Sequence, residues 1–259
     1  MALLLSVAGC SNGATEKVWE NGIPVSFYFV ADTPRGFKLF SEVKNLLARE
    51  GDLNLQVVSD LVSGKVAPID SDYINLWGGT NTVNSVSVAD SVATVDLGEL
   101  SLNVGAESEQ RAIDQIVWTL TEFAPDVKSV RFTVNGETVE SFAGHVDTTG
   151  VFERAIGYEV LNPIQISSIN QGAELTSPVT ISGQACTFEA NVVWKLYQEG
   201  TVVQEGFTTA SSGCPERGQW SITISDLAPG NYTIAGVEYS AEDGSLFAID
   251  DKDFVIISE

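Results

Sequence analysis

One histidine, three cysteines and thirteen basic residues are all that this chain of 259 residues carries of those types. Each scarcity closes a class of function. His145 is the only histidine, and no second cysteine pair supports a zinc site. The 13 Lys and Arg face 35 Asp and Glu, a formal net charge of −22. Nucleic-acid binders carry basic patches, so this balance argues against a nucleic-acid partner. It argues equally against electrostatic adhesion to anionic lipid. No Gly-x-Ser-x-Gly nucleophile motif and no phosphate loop occur, and no cofactor is called for. The apolar start, Met1 to Gly9, falls well short of the ~20 residues a membrane-spanning helix needs.

What the chain does have is apolar content, 44% of its residues, which is ample for packed cores and excludes a disordered acidic chain. Its length makes two domains the default expectation. The first ten residues run through Leu3-Leu-Leu into Val7-Ala8-Gly9-Cys10, and polar Ser11-Asn12-Gly13 follows. That pattern resembles a bacterial lipobox, in which the cysteine is cleaved at its amino side and acylated. Residues 1–10 are then a signal peptide and 11–22 a tether. No Lys or Arg precedes Leu3, so the basic element of a signal peptide is missing; the competing reading is an apolar tail with a buried cysteine. Acyl chains add about 0.8 kcal/mol per buried CH2, and stable anchoring takes more than one chain. With Cys10 assigned to lipid, Cys186 and Cys214 remain as an even pair. In an exported protein such a pair is expected to form a disulfide, worth about 3 to 4 kcal/mol at this loop length.

The rest of the chain divides by periodicity. Val25 to Val30 reads as a strand, and Phe37 to Leu47 fits strand better than helix. Asp52 caps a helix that carries Leu53, Val57 and Leu61 on one stripe, and Gly64 ends it. Val83 to Val88 and Val92 to Leu97 alternate around Ala89-Asp90-Ser91, a hairpin pattern. The clearest helix runs from Glu107 to Phe123, where Ala112, Ile113, Ile116, Val117 and Leu120 form one apolar stripe. Val127 to Val134, the turn Asn135-Gly136 and Thr138 to Phe142 read as a further hairpin. This order predicts an α+β domain over residues 23–160, with helices on one face of a mixed or antiparallel sheet. From residue 161 to 259 the helical period vanishes. Strand-like runs recur at Val179, Val192, Val202, Trp220, Tyr232 and Phe254, punctuated by Gly, Pro, Asn and Asp, which predicts an all-β sandwich.

Both halves resemble bacterial families. Val25-Ser-Phe-Tyr-Phe-Val30, Val86 to Leu97, Gln115-Ile-Val-Trp-Thr-Leu-Thr-Glu122 and Val130 to Gly136 resemble a GerMN domain, the sporulation and spore-germination module. Ser177 to Gly183, Thr187 to Asn191, Gly218 to Ile222 and Tyr239 to Gly244 resemble the immunoglobulin-like domain of bacterial spore germination. The resemblance implies a non-catalytic, lipid-anchored envelope protein on the extracytoplasmic face of a bacterial membrane, which mediates protein interaction or assembly. Its partner would be another envelope protein.

Candidate chemistry is sparse. His145 has no nucleophile near it in sequence and reads as a surface loop residue. Asp250, Asp251 and Asp253, and separately Asp70 and Asp72, could each offer oxygens to calcium; neither group matches an EF-hand, and the first reads better as a charged edge that blocks strand pairing. No metal ligand set is therefore assigned. Trp77 beside Gly78-Gly79 is the candidate binding aromatic, against the alternative that it covers a core edge. Trp220 falls in an alternating run and reads as core. Binding of cell-wall carbohydrate through Trp77 is the alternative function, and a peptidoglycan-acting enzyme the third.

Overall fold

A computed structural model describes residues 22–258. Cys10 and the lipobox lie outside the described residues. β1 (Ile23–Thr33) and β2 (Gly36–Leu46) pair along their whole length as an antiparallel hairpin, with Phe29 opposite Phe40. The strand reading of residues 37–47 is thus what the chain adopts. α1 (Leu53–Val62) starts where the Asp52 carboxylate accepts the Leu55 amide at 2.9 Å. It stops before Gly64, whose φ of +71° suits a residue without Cβ. β3 (Val83–Ala89) and β4 (Val92–Leu97) are antiparallel, joined through Asp90 and Ser91 at φ 50° and 63°. α2 (Ala106–Phe123) then crosses back to β5 (Ser129–Val134), which lies parallel to β4. A short β6 (Val151–Glu153) completes a mixed four-stranded sheet in the order β3-β4-β5-β6.

The single sheet expected for this half is two sheets among the described residues, because β1 and β2 pair with each other alone. The α2 stripe Ala112, Ile113, Ile116, Val117 and Leu120 is buried in one core with Phe27 and Phe29 of the hairpin, Val95, Leu97, Val130 and Phe132 of the sheet, and Val57 and Leu61 of α1. Burying an amphipathic stripe that broad takes apolar surface from both sides.

The second correction concerns Thr138 to Phe142, which is no strand. Only one bridge, Val134 to Glu137, follows the Asn135-Gly136 turn. The chain from Ser141 to Val146 instead wraps Glu109, a buried residue of the first turn of α2. Its Oε1 accepts the amides of Phe142 and Ala143 and the hydroxyl of Ser141 at 2.8–2.9 Å, and its Oε2 accepts the amides of His145 and Val146 at 2.9 and 3.2 Å. Of these amides, that of Phe142 lies in the expected strand, and it serves the carboxylate instead of a sheet. His145 enters this arrangement through its backbone; its side chain is exposed.

α3 (Gly157–Val160) leads through Pro163 into the second half. There β7 (Ile164–Ile166), β9 (Val179–Ala185) and β12 (Gly218–Ile224) form one sheet in the order β12-β9-β7. The facing sheet is β11-β10-β13-β14-β8, built from β8 (Ala173–Leu175), β10 (Asn191–Gln198), β11 (Thr201–Thr209), β13 (Gly230–Tyr239) and β14 (Leu246–Ile256). Ile164, Ile181, Leu196, Trp220, Ile234 and Phe254 fill the space between them. Gly183 sits mid-strand: a Cβ there would fall 1.8 Å from the Gln165 carbonyl oxygen, so its absence lets β7 join β9.

Burial pushes the Glu109 carboxyl up, but the donors from Ala143, Ser141, His145 and Phe142 outweigh it, so the group lies below its ordinary value. A depressed carboxyl contributes stability that is present above its unfolded value and lost as pH falls through the folded one. Glu109→Gln is expected to cost about 2–4 kcal/mol at neutral pH in urea denaturation, with faster amide exchange at residues 142–146. The gap to the parent should narrow in acid; a gap that stays constant would show that the charge plays no part.

Candidate functional site

Position parity on β14 places two charged residues where apolar ones are expected. Ala248, Asp250, Lys252, Phe254 and Ile256 all point inward and are buried. The Lys252 ammonium lies 2.7 Å from Asp250 Oδ1, 2.7 Å from Asp70 Oδ2 and 2.8 Å from the Tyr73 hydroxyl. The Tyr73 hydroxyl donates to Asp250 Oδ1 at 2.8 Å, and Asp250 Oδ2 accepts the Ile166 amide at 2.6 Å. Asp70 and Tyr73 come from the loop after α1, Asp250 and Lys252 from the sandwich. The cluster therefore bolts the two domains together.

This corrects the reading of both acidic groups. Asp250 points inward on β14 and is buried, where a charge does not guard an edge. One carboxylate from each group meets the other on a lysine, so the cation between them is an ammonium. Among the described residues, no group of three His, Cys, Asp or Glu is placed to hold a metal ion. Burial lowers the tendency of Lys252 to stay charged, yet Asp250 and Asp70 together raise it above the ordinary lysine value. Burial in turn raises Asp250, and raises Tyr73 well above the ordinary phenol range with Asp250 and Asp70 adding to it.

Further contacts extend the junction. Gln165 donates to the Ser41 carbonyl and hydroxyl at 2.8 Å, Arg217 donates to the Asn162 carbonyl at 2.7 Å, and Lys38 donates to the Glu159 carbonyl. Arg35, in the β1–β2 turn, lies over the Phe247 ring with 4.2 Å to its centroid.

The outer face of the five-stranded sheet leaves large apolar side chains exposed. Register aligns Phe207, Val193 and Val237 in one cross-strand row. Phe207 is 74% exposed and Phe188, beside the row, is 69% exposed. Phe188, Val193, Val237, Tyr239 and Phe247 line a groove of ≈ 440 Å³ rimmed by Glu189, Glu238 and Glu242. Phe188 opens a single 3-10 turn, Phe188–Ala190, in which Glu189 and Ala190 have φ of 52° and 58°. The turn is held on two sides. The disulfide Cys186–Cys214 ties its leading end to the segment after β11. Glu238 accepts the Phe188 amide at 2.9 Å. The other Glu238 oxygen, Oε2, is buried without a partner, and burial raises this carboxyl above its ordinary value.

Trp77 is not a binding platform. It is 4% exposed, its indole N–H donates to the Ala112 carbonyl at 2.7 Å, and its ring meets Phe142 edge-on. The small Gly78-Gly79 pair beside it does not expose it, because the loop closes over α2. Trp220 is buried in the sandwich core. Sequence reasoning passed over the Lys252 cluster and the Phe188–Phe207 face. The first was visible as charges on the inward parity of β14, and the second as Phe207 on the outward parity of β11.

An α+β domain bolted to a β-sandwich that presents an aromatic face is the class of protein this geometry defines: a two-module chain. Residues 26–140 match the family described as "Sporulation and spore germination", and residues 163–245 match the "Immunoglobulin-like domain of bacterial spore germination". The chain thus carries a domain of the GerMN type followed by the immunoglobulin-like domain of bacterial spore germination. Among solved structures it is similar to the first GerMN domain of the sporulation protein GerM from Bacillus subtilis, at 19% identity and a TM-score of 0.40 over 49% of this chain and 94% of that one. It is also similar to the tandem GerMN domains of the same protein, at 17% identity and a TM-score of 0.43 over 79% of this chain and 61% of that one. No curated protein matches the chain.

Two predictions follow from the junction. Lys252→Met leaves two buried carboxylates uncompensated and is expected to cost about 3–5 kcal/mol in equilibrium denaturation. A cost under 1 kcal/mol would mean that the domains do not depend on the ion pairs. The second concerns Asp251, half-buried between Asp250 and Lys252. Burial first, and Asp250 next, raise its carboxyl from 3.8 to about 6. A raised carboxyl penalises the fold once both states would be ionised, so its cost grows from about pH 4 to about pH 6 and is full above that. Asp251→Asn should therefore stabilise the protein at pH 7 by about 1–2 kcal/mol after discounting for partial exposure. The gain should vanish below pH 4; thermal unfolding across that range reads it directly.

Proposed function

We propose that this protein is a non-catalytic, lipid-anchored envelope protein that captures a partner protein on the outer face of its immunoglobulin-like domain. The anchor is Cys10, which places both domains on the extracytoplasmic side of a bacterial membrane. The observation that carries the reading is the Phe188–Phe207–Tyr239 face. Large aromatic side chains left in water on a rigid sheet are typical of protein interfaces. The occupant that fits is a protein segment carrying Lys or Arg among apolar residues. Its apolar residues would cover Phe188 and Phe207, and its cation would pair with the exposed Glu189 and Glu242 at the rim of the groove. The chain's net charge of −22 draws such a segment in and opposes self-association through this face. Both family descriptions concern germination and sporulation, which accords with assembly in the envelope.

The test uses the full chain in its native envelope. A photo-crosslinking residue replaces Asn191 at the groove, with Val88 on the first domain as control. A discrete adduct at Asn191 alone is expected. It should fall at least about tenfold on Phe207→Ser, as loss of a central aromatic anchor does. An adduct that survives this change, or equal labelling at Val88, would refute the face. In the same fractions Cys10→Ser should move the protein from membrane to soluble material, and retention in the membrane would refute the anchor.

A further inference from the structure

The Lys252 cluster holds the parts of a bond-forming site as well as those of a bolt. It brings together a primary amine, a carboxyl carbon for that amine to attack, a donor for the carboxyl oxygen and a group that moves protons. Lys252 Nζ lies 2.7 Å from Asp70 Oδ2, so amine and carboxyl are in contact. The other oxygen, Asp70 Oδ1, accepts the Asp72 amide at 3.0 Å. That N–H stands where negative charge collects when a carboxyl carbon becomes tetrahedral. Asp250 Oδ1 is 2.7 Å from the same Nζ. The Tyr73 hydroxyl donates to this Asp250 oxygen and the Ile166 amide to the other, so Asp250 is held in place.

The surroundings are dry. Lys252, Asp70 and Asp250 are all buried, Phe40 stacks on Tyr73 at 4.6 Å, and the ammonium lies over the Tyr73 ring at 4.7 Å. In water an ammonium and a carboxylate outlast the amide they could form, because hydration favours the ions. Away from water that balance tips: a buried ion carries a heavy desolvation cost, and a neutral amide carries neither charge. Contact between the groups also makes their reaction intramolecular, which is where high effective molarities come from. Asp250 and Asp70 hold Lys252 in its charged form, so the amine must first give up a proton. Asp70 Oδ2 is in place to take it, along the 2.7 Å hydrogen bond. Burial raises the Asp250 carboxyl above its ordinary value, which suits it to carry a second proton.

We propose that Lys252 and Asp70 condense to an amide that joins the two domains covalently, with Asp250 as the proton-transfer group. The ion pair is the state before reaction. One proton passes from Nζ to Asp70 Oδ2, leaving a neutral amine and a neutral acid. The Nζ lone pair forms a bond to Asp70 Cγ, and the carbonyl electron pair moves onto Oδ1 beside the Asp72 N–H. Asp250 takes a second proton from Nζ and returns it to Oδ2. The Cγ–Oδ2 bond breaks, the pair on Oδ1 restores the carbonyl, and Oδ2 leaves as water. The third Nζ proton stays on the amide. One positive and one negative charge are consumed, nothing is oxidised or reduced, and Asp250 ends as it began. The bond closes the chain between residues 70 and 252, so the domains stay joined even when both unfold.

The full chain is purified folded, then unfolded, reduced, alkylated and digested with trypsin for mass spectrometry. Residues 66–111 should appear joined to residues 218–259, with Lys252 uncleaved and the mass of one water missing from the sum. Separate peptides, cut at Lys252, in the parent chain would overturn the proposal. Lys252→Arg keeps the charge and removes the amine that condenses, so it should give separate peptides only; a joined pair in this variant would place the bond elsewhere and overturn the assignment. The part of Asp250 is read from chain sampled over time after synthesis. Asp250→Asn should form the joined pair at least about a hundredfold more slowly than the parent, as loss of one acid–base group does. Tyr73→Phe keeps the ring and loses only the hydroxyl that orients Asp250, and should slow it about tenfold. Near-ultraviolet circular dichroism checks that each variant is folded. Parent rates in both variants would overturn the role of Asp250.

Discussion

An ammonium group taken out of water costs several kcal/mol unless its partners are already in place, and Lys252 has three of them within 2.8 Å. Two come from the GerMN domain and one from its own strand. Neither half can satisfy the group alone. Separating the domains would leave Asp70 without its cation and Lys252 with a single carboxylate, in surfaces built to be dry. The relative placement of the two domains is therefore written into side-chain chemistry more than into contact area. A junction made only of apolar surface could slide; a junction in which Tyr73, Asp250 and the Ile166 amide share hydrogen bonds with the ion pair has one register.

From that fixed register other features follow. Asn162 donates to the carbonyls of Ile164 and Ile249, and its own amide donates to the Leu39 carbonyl, so the connector is stitched to both domains. Gln165 reaches Ser41 from the first strand of the sandwich. Across the same junction Arg35 lies over Phe247, which lines the aromatic groove. The first domain thus shapes one wall of the surface that the second presents.

Much of this architecture was legible in the residues. The α2 stripe, the Asp52 cap, the hairpin at Asp90-Ser91 and the sandwich strands each rest on local periodicity or turn chemistry, and local rules sufficed. What escaped them is long-range. Thr138 to Phe142 looks like the return strand of a hairpin, yet the amide at its end, that of Phe142, goes to a carboxylate some thirty residues earlier, on α2. Asp250 and Lys252 look like a solvated edge until a loop from the other domain is laid over them. Trp77, flanked by glycines, looks exposed until Ala112 is found to accept its N–H. In each case the deciding partner is far away in sequence, and no spacing rule reaches it.

The aromatic face raises a different question, whether it is surplus core or a made surface. Glu189 and Ala190 hold a left-handed backbone that favours glycine, and such residues each cost on the order of 1–3 kcal/mol. Stability alone would put glycine at these positions and fold Phe188 inward. Instead the Cys186–Cys214 disulfide and the Glu238 carboxylate fix the turn, and the ring they fix remains 69% exposed. Glu238 meanwhile buries an oxygen that nothing in the chain satisfies. A strained backbone and an unpaired carboxylate oxygen act against the stability optimum at one place, and the disulfide offsets them by holding the turn. Strain that the surrounding structure over-determines is a mark of selection for something other than folding. The outer face of the sandwich is therefore better understood as a surface held ready for contact than as hydrophobic residue the core could not absorb.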